Sequence, residues 1–128
     1  MILIENVEMS IWGREFSMPV EFERFAAGPV TETQIEVLHQ FLAHTDWIVK
    51  AEKMVNDYCK KAVMDDRTND KKENVFSYIK PHYLFVKQNR EHPQIAIMCK
   101  YRYDMEHGLA IVFSHDGKIT VGIQDIIL

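Results

Sequence analysis

Residues 95–121 read IAIMCKYRYDMEHGLAIVFSHDGKITV, and this stretch decides the fold. Ile95, Ile97, Cys99, Tyr101 and Tyr103 alternate, with Lys100 and Arg102 between the later ones. That period of two marks a strand with one face turned to a core. Asp104-Met105-Glu106-His107-Gly108 breaks the run as a turn, and Leu109 to Phe113 returns as an apolar strand. Ser114-His115-Asp116-Gly117 signals a hairpin, because Asp-Gly suits turns that match strand twist. Ile119-Thr120-Val121 pairs back, and Gln124 to Leu128 closes with an apolar end. The last third is therefore an antiparallel meander.

The N-terminal third also reads as strands. Val7, Met9 and Ile11 alternate with Glu8 and Ser10, and Phe16, Met18, Val20 and Phe22 alternate with Glu21 and Glu23 on the opposite face. Trp12-Gly13-Arg14-Glu15 turns the chain between them, with Gly13 free to take a positive φ. Pro19 cannot donate to a ladder, so the second strand is expected at an edge or with a bulge.

Helices fill the middle. Thr31 and Gln34 have the spacing of a capping box, and Ile35, Leu38, Phe41 and Leu42 follow at helical intervals. Thr45 and Asp46 offer a second start, after which Trp47, Ala51, Met54, Val55, Tyr58 and Ala62 share one face. Two helices over roughly 31–43 and 46–64, joined near His44-Thr45-Asp46, are expected, with a single kinked helix as the alternative. Asp65 to Asn74 is almost wholly polar and reads as an exposed loop. Val75 to Ile79 reads as a short helical turn ending before Pro81, and Tyr83 to Val86 as a short apolar run. Strands in runs with helices segregated between them give an α+β class: an antiparallel sheet, made of an N-terminal hairpin and a C-terminal meander, with two central helices on one face. One domain over residues 1–128 is expected for a chain of 128 residues.

A net charge of −4 argues against a general nucleic-acid binder, which needs clustered Lys and Arg. No apolar run approaches the ~20 residues of a membrane span. Met1 to Glu5 lacks the basic region and long apolar stretch of a secretory signal, so a cytoplasmic location is expected. The 2 cysteines, Cys59 and Cys99, form neither a disulfide framework nor a zinc knuckle. The 6 histidines lack a ligand spacing: His39 and His44 stand five apart on a helix and face different ways. No nucleotide loop or nucleophile-elbow motif occurs, and Asp65-Asp66 lie in a solvated loop that cannot tune their acidity. No metal, cofactor or enzymatic activity is expected.

The N-terminal acids Glu5, Glu8, Glu15, Glu21 and Glu23 outnumber Arg14 and Arg24. They suggest an acidic face toward a basic protein. Trp12, at the hairpin tip, is the candidate exposed anchor, with packing under the helices as the alternative. The expected partner-contact residues are Trp12, Glu15, Glu21 and Glu23, with Asp65 and Asp66 of the polar loop second.

Asp104-Met105-Glu106-His107-Gly108-Leu109-Ala110-Ile111-Val112-Phe113, followed by Val121-Gly122-Ile123-Gln124-Asp125-Ile126-Ile127-Leu128, resembles a family of short uncharacterised bacterial proteins. That family is encountered around toxin and immunity gene clusters. The resemblance implies an immunity-type inhibitor covering a toxin surface and supplies no catalytic residue. In the motif, Gly108 is expected to hold a backbone conformation closed to other residues, and His107 and Asp125 to tie the turn to the C-terminus, with Asp104 beside them. The competing reading is a small-molecule or regulatory domain, with a pocket drawing on Asp104, His107 and Asp125.

Overall fold

The computed structural model describes residues 4–24, 28–64 and 75–128. Six strands are described: β1 (Asn6–Ile11), β2 (Arg14–Phe22), β3 (Ile79–Val86), β4 (Gln94–Tyr101), β5 (Leu109–Ser114) and β6 (Ile119–Gly122). Helices α1 (Glu32–Ala43) and α2 (Thr45–Met64) come between β2 and β3, and short 3-10 turns cover Val75–Ser77 and Gln124–Ile126. The strands form one sheet in the order β1-β2-β3-β4-β5-β6. Every pairing is antiparallel except β2 with β3, which run parallel from Val20↔Leu84 to Phe22↔Val86. The parallel pair follows from connectivity. A hairpin cannot return a strand in the same direction, and the crossover here is the α1–α2 segment.

The capping box forms as its spacing predicts: the Gln34 amide donates to the Thr31 side chain, and the Thr31 amide donates to Gln34 Oε1 at 2.9 Å. His44 breaks the two helices apart, its amide closing α1 on Gln40 and Phe41 and its carbonyl accepting the Trp47 amide. Both helices bury their apolar stripes on one face of the sheet. Val37, Leu38 and Phe41 of α1 join Trp47, Ile48, Ala51, Val55 and Cys59 of α2 against Ile95, Ile97, Ile111 and Phe113. The strand centre is apolar on both faces. Ala96, Met98, Ala110 and Val112 point the other way with Phe85, and Ile127 of the C-terminal segment joins them.

Two prolines sit differently from expectation. Pro19 lies in a strand flanked on both sides, not at an edge. It is tolerated because β2 changes partner there: Pro19 ends the β1 register, and the β3 register begins at Val20. Pro81 is buried inside β3, which begins at Ile79, and the ladder with β4 shifts register between Pro81 and Tyr83. The bulge accommodates the missing donor. Among the described residues, no helix is long and apolar enough to cross a membrane.

Candidate functional site

The N-terminal hairpin turns through two residues only. Trp12 has φ +46 and Gly13 φ +87, the paired left-handed conformations whose twist matches two antiparallel strands. A left-handed tryptophan costs on the order of 1–2 kcal/mol of backbone strain. Its side chain supplies the compensation. The indole N–H donates to the Ile48 carbonyl of α2 at 2.7 Å, and the ring lies 5.8 Å from Phe76. The Arg14 guanidinium lies over the Phe76 ring, 4.6 Å from its centroid. Trp12 is thus half-buried, pinning the hairpin to α2, and not the exposed tip anchor expected from the sequence.

Strand alternation sorts the acids. Val7, Met9, Ile11 and Met18 go inward, leaving Glu8 exposed on β1 and Glu15 and Glu21 exposed on β2. The register sets Glu8 opposite Ser17 and Glu15 opposite Ser10. The three carboxylates therefore share the face turned away from the helices, in a row of about 20 Å at strand rise per residue. Glu21 stands near Tyr83, whose hydroxyl is pushed upward in pKa, chiefly by burial and secondly by that carboxylate. Glu8 was not among the sequence candidates. The signal was present, since its alternation with Val7 and Met9 already put it outside, but only the register shows that it shares a face with Glu15 and Glu21.

Glu23 separates from this row. Its carboxylate takes a 3.4 Å ion pair from Lys87 and accepts the Gln88 amide at 3.0 Å, with the side chain 19% exposed. It fastens the end of β2 to the chain leaving β3. Asp65 and Asp66 lie outside the described residues.

The Asp104–Gly108 turn is closed by its own polar groups. Asp104 Oδ1 accepts the His107 amide at 3.1 Å, and the His107 ring nitrogen Nδ1 lies 3.0 Å from Oδ2. The contact raises the histidine pKa, and the same hydrogen bonds hold Asp104 below its ordinary value. Gly108 has φ +62, and a Cβ there would lie 2.6 Å from Gln124 Nε2 and 2.9 Å from the Cys99 carbonyl. The tie to the C-terminus runs through Gln124: its amide donates to the His107 carbonyl and its side chain to the Cys99 carbonyl, both at 3.1 Å. Asp125, expected to make that bond, is exposed and acts on His107 only through its charge.

Both cysteines are buried. Burial pushes the Cys59 thiol up to about 11, against a hydrogen bond with Tyr101 that favours the thiolate. Cys99 is driven up by burial first and by Cys59 second. Protonated thiols are poor nucleophiles and poor metal ligands. Among the described residues no three His, Cys, Asp or Glu side chains gather as a metal site. A depression of about 260 Å³ beside α2 is lined by Met54, Asp57, Tyr58, Lys61 and Val121, so Asp104, His107 and Asp125 do not form its wall.

A family model described as a domain of unknown function, DUF6985, matches residues 3–128, nearly the whole chain. The chain belongs to the DUF6985 family. No curated protein and no solved structure matches it. The DUF6985 match spans the acidic hairpin, both helices and the Asp104–Gly108 turn together.

Proposed function

We propose that this DUF6985 domain is a non-enzymatic, protein-binding domain of the cytoplasm that docks a basic partner on the outer face of β1 and β2. The carrying observation is the row Glu8, Glu15 and Glu21, exposed on one face of a hairpin that turns Val7, Met9, Ile11 and Met18 inward. Such a row favours encounter with a positively charged surface and selects among partners more than it sets affinity. The specific reading is an immunity-type inhibitor. A toxin that acts on nucleic acid presents a basic substrate-binding face, and a rigid acidic ribbon would cover it. The resemblance of residues 104–113 and 121–128 to proteins found around toxin and immunity gene clusters supports this. The buried, protonated thiols of Cys59 and Cys99 agree with a binding role.

The test is affinity capture from the source cells with the wild-type chain and with the triple variant E8K/E15K/E21K, at low and at moderate salt. One dominant basic protein is expected, weakened by salt and lost with the triple variant, and its toxicity should be relieved by co-expression of the wild-type chain only. Equal capture by the folded triple variant, or no basic partner, overturns the proposal.

A further inference from the structure

We infer that the partner adds an extended basic segment to the outer edge of β1, extending the sheet by one strand. The inference rests on the acidic-face reading above and names how the partner docks.

β1 ends the strand order, and no described strand lies beyond it. The Val20 amide donates to the Glu5 carbonyl at 2.8 Å, which makes those two residues a hydrogen-bonded pair. Antiparallel ladders alternate, so Val7, Met9 and Ile11 bond to β2, while the amides and carbonyls of Asn6, Glu8 and Ser10 point away from it. Among the described residues no strand covers this edge, and the one charge along it is Glu8, which repels an acidic neighbour and attracts a basic one. Asn6–Ile11 contains no proline and no lysine, and its six register pairs run without a shift. The opposite edge, β6, is only four residues long, and the Ile126 side chain folds back over its last residue, Gly122.

Charge selects the occupant. A second copy of this chain would bring its own acidic hairpin against Glu8, and facing like charges destabilise a strand pair. A segment with Lys or Arg at alternate positions would set one base directly opposite Glu8. Others would reach Glu15, one strand further at about 5 Å per strand. The intervening side chains would lie beside Val7 and Met9, the edge of the inner core, each 8% exposed, so apolar residues fit there. The expected ligand is an extended segment of about six residues alternating basic and apolar. Backbone hydrogen bonds would supply affinity and alternate side chains the selectivity.

The probe is the peptide acetyl-Lys-Val-Lys-Val-Lys-Val-amide, compared with a fully N-methylated version that keeps the side chains but removes the backbone donors. Binding by the lysine peptide is expected to slow hydrogen exchange at the amides of Asn6, Glu8 and Ser10. N-methylation and E8K should each weaken it about tenfold or more. Failure of the lysine peptide to bind, protection elsewhere in the sheet, or equal binding of the N-methylated peptide overturns strand addition. Equal binding of both peptides that is abolished by E8K/E15K/E21K refutes strand addition and leaves the acidic docking face standing. Binding indifferent to that triple variant refutes both.

Discussion

Replacing Gln34 with leucine tests whether one buried amide holds the junction between the parallel strands. Gln34 is 1% exposed and serves two purposes. Its Oε1 accepts the Thr31 amide at 2.9 Å, closing the cap of α1. Its Nε2 donates to the Glu23 carbonyl at 2.7 Å and to the Val86 carbonyl at 3.2 Å, where β2 and β3 end side by side. Leucine matches the volume and keeps none of these bonds. Losing the cap partner costs about 1 kcal/mol. An unpaired Glu23 carbonyl adds about 1–3 kcal/mol. The Val86 carbonyl suffers less, because it keeps the Glu23 amide at 2.9 Å. The leucine side chain returns about 1 kcal/mol through apolar burial. The net loss for Gln34→Leu is about 1–3 kcal/mol, or roughly 4–12 °C in melting temperature for a domain of this size. Urea and thermal unfolding measure it, and a loss below about 0.5 kcal/mol would refute the reasoning. Gln34→Glu adds a sign test. The new carboxyl keeps the cap acceptor but faces two carbonyl oxygens, so it must carry a proton to bond one of them. Its folded pKa then lies above the unfolded value of about 4.3. Its stabilising contribution is present below that value and lost as pH rises through the folded pKa. Gln34→Glu should therefore come nearest to wild type in acid and be much weaker at neutral pH.

Three other outcomes follow from the geometry. Gly108→Ala combines φ +62 with a Cβ 2.6 Å from Gln124 Nε2 and 2.9 Å from a backbone oxygen. It should cost at least about 2 kcal/mol in urea unfolding, against less than about 1 kcal/mol for an ordinary surface change. The His107 pKa, followed by NMR titration, should lie above 6.5 and fall toward it in Asp104→Asn, because the Asp104 bond is its leading cause. The raised histidine stabilises below 6.5 and loses that effect as pH climbs through its folded pKa. The depressed Asp104 stabilises above 3.8 and loses its effect as pH falls through its own folded value. Both contributions coexist between 3.8 and 6.5, so Asp104→Asn should differ most from wild type in that window. Cys59 and Cys99 should resist a thiol-alkylating reagent in the native state and react fully in denaturant; rapid native labelling of Cys59 would contradict its burial.

The sequence alone determined what neighbouring residues decide. The Thr31–Gln34 cap, the break at His44 between two helices, the Trp12-Gly13 turn and the Asp116-Gly117 hairpin were all legible. Each depends on backbone conformations and bonds spanning four residues or fewer. Alternation likewise separated the inward Val7, Met9 and Met18 from the outward Glu8 and Glu21, whereas Glu15 reads as a turn residue and only the structure places it in β2. Tertiary structure decided everything that needed a partner far along the chain. Glu23 looks like one more surface acid until β3 brings Lys87 and Gln88 to it, 64 and 65 residues later. Gln34 looks like a cap alone until the parallel pairing sets the Val86 carbonyl above it, 52 residues away. Trp12 at a hairpin tip has no local reason to be covered, and α2 covers it through the Ile48 carbonyl. Gln124 and Asp125 are neighbours of similar polarity, and the approach of the C-terminal turn to Gly108 selected Gln124 as the tie. Local sequence sets conformations within a turn or so of itself, whereas which polar group is buried and bonded depends on the distant strand or helix that removes its water.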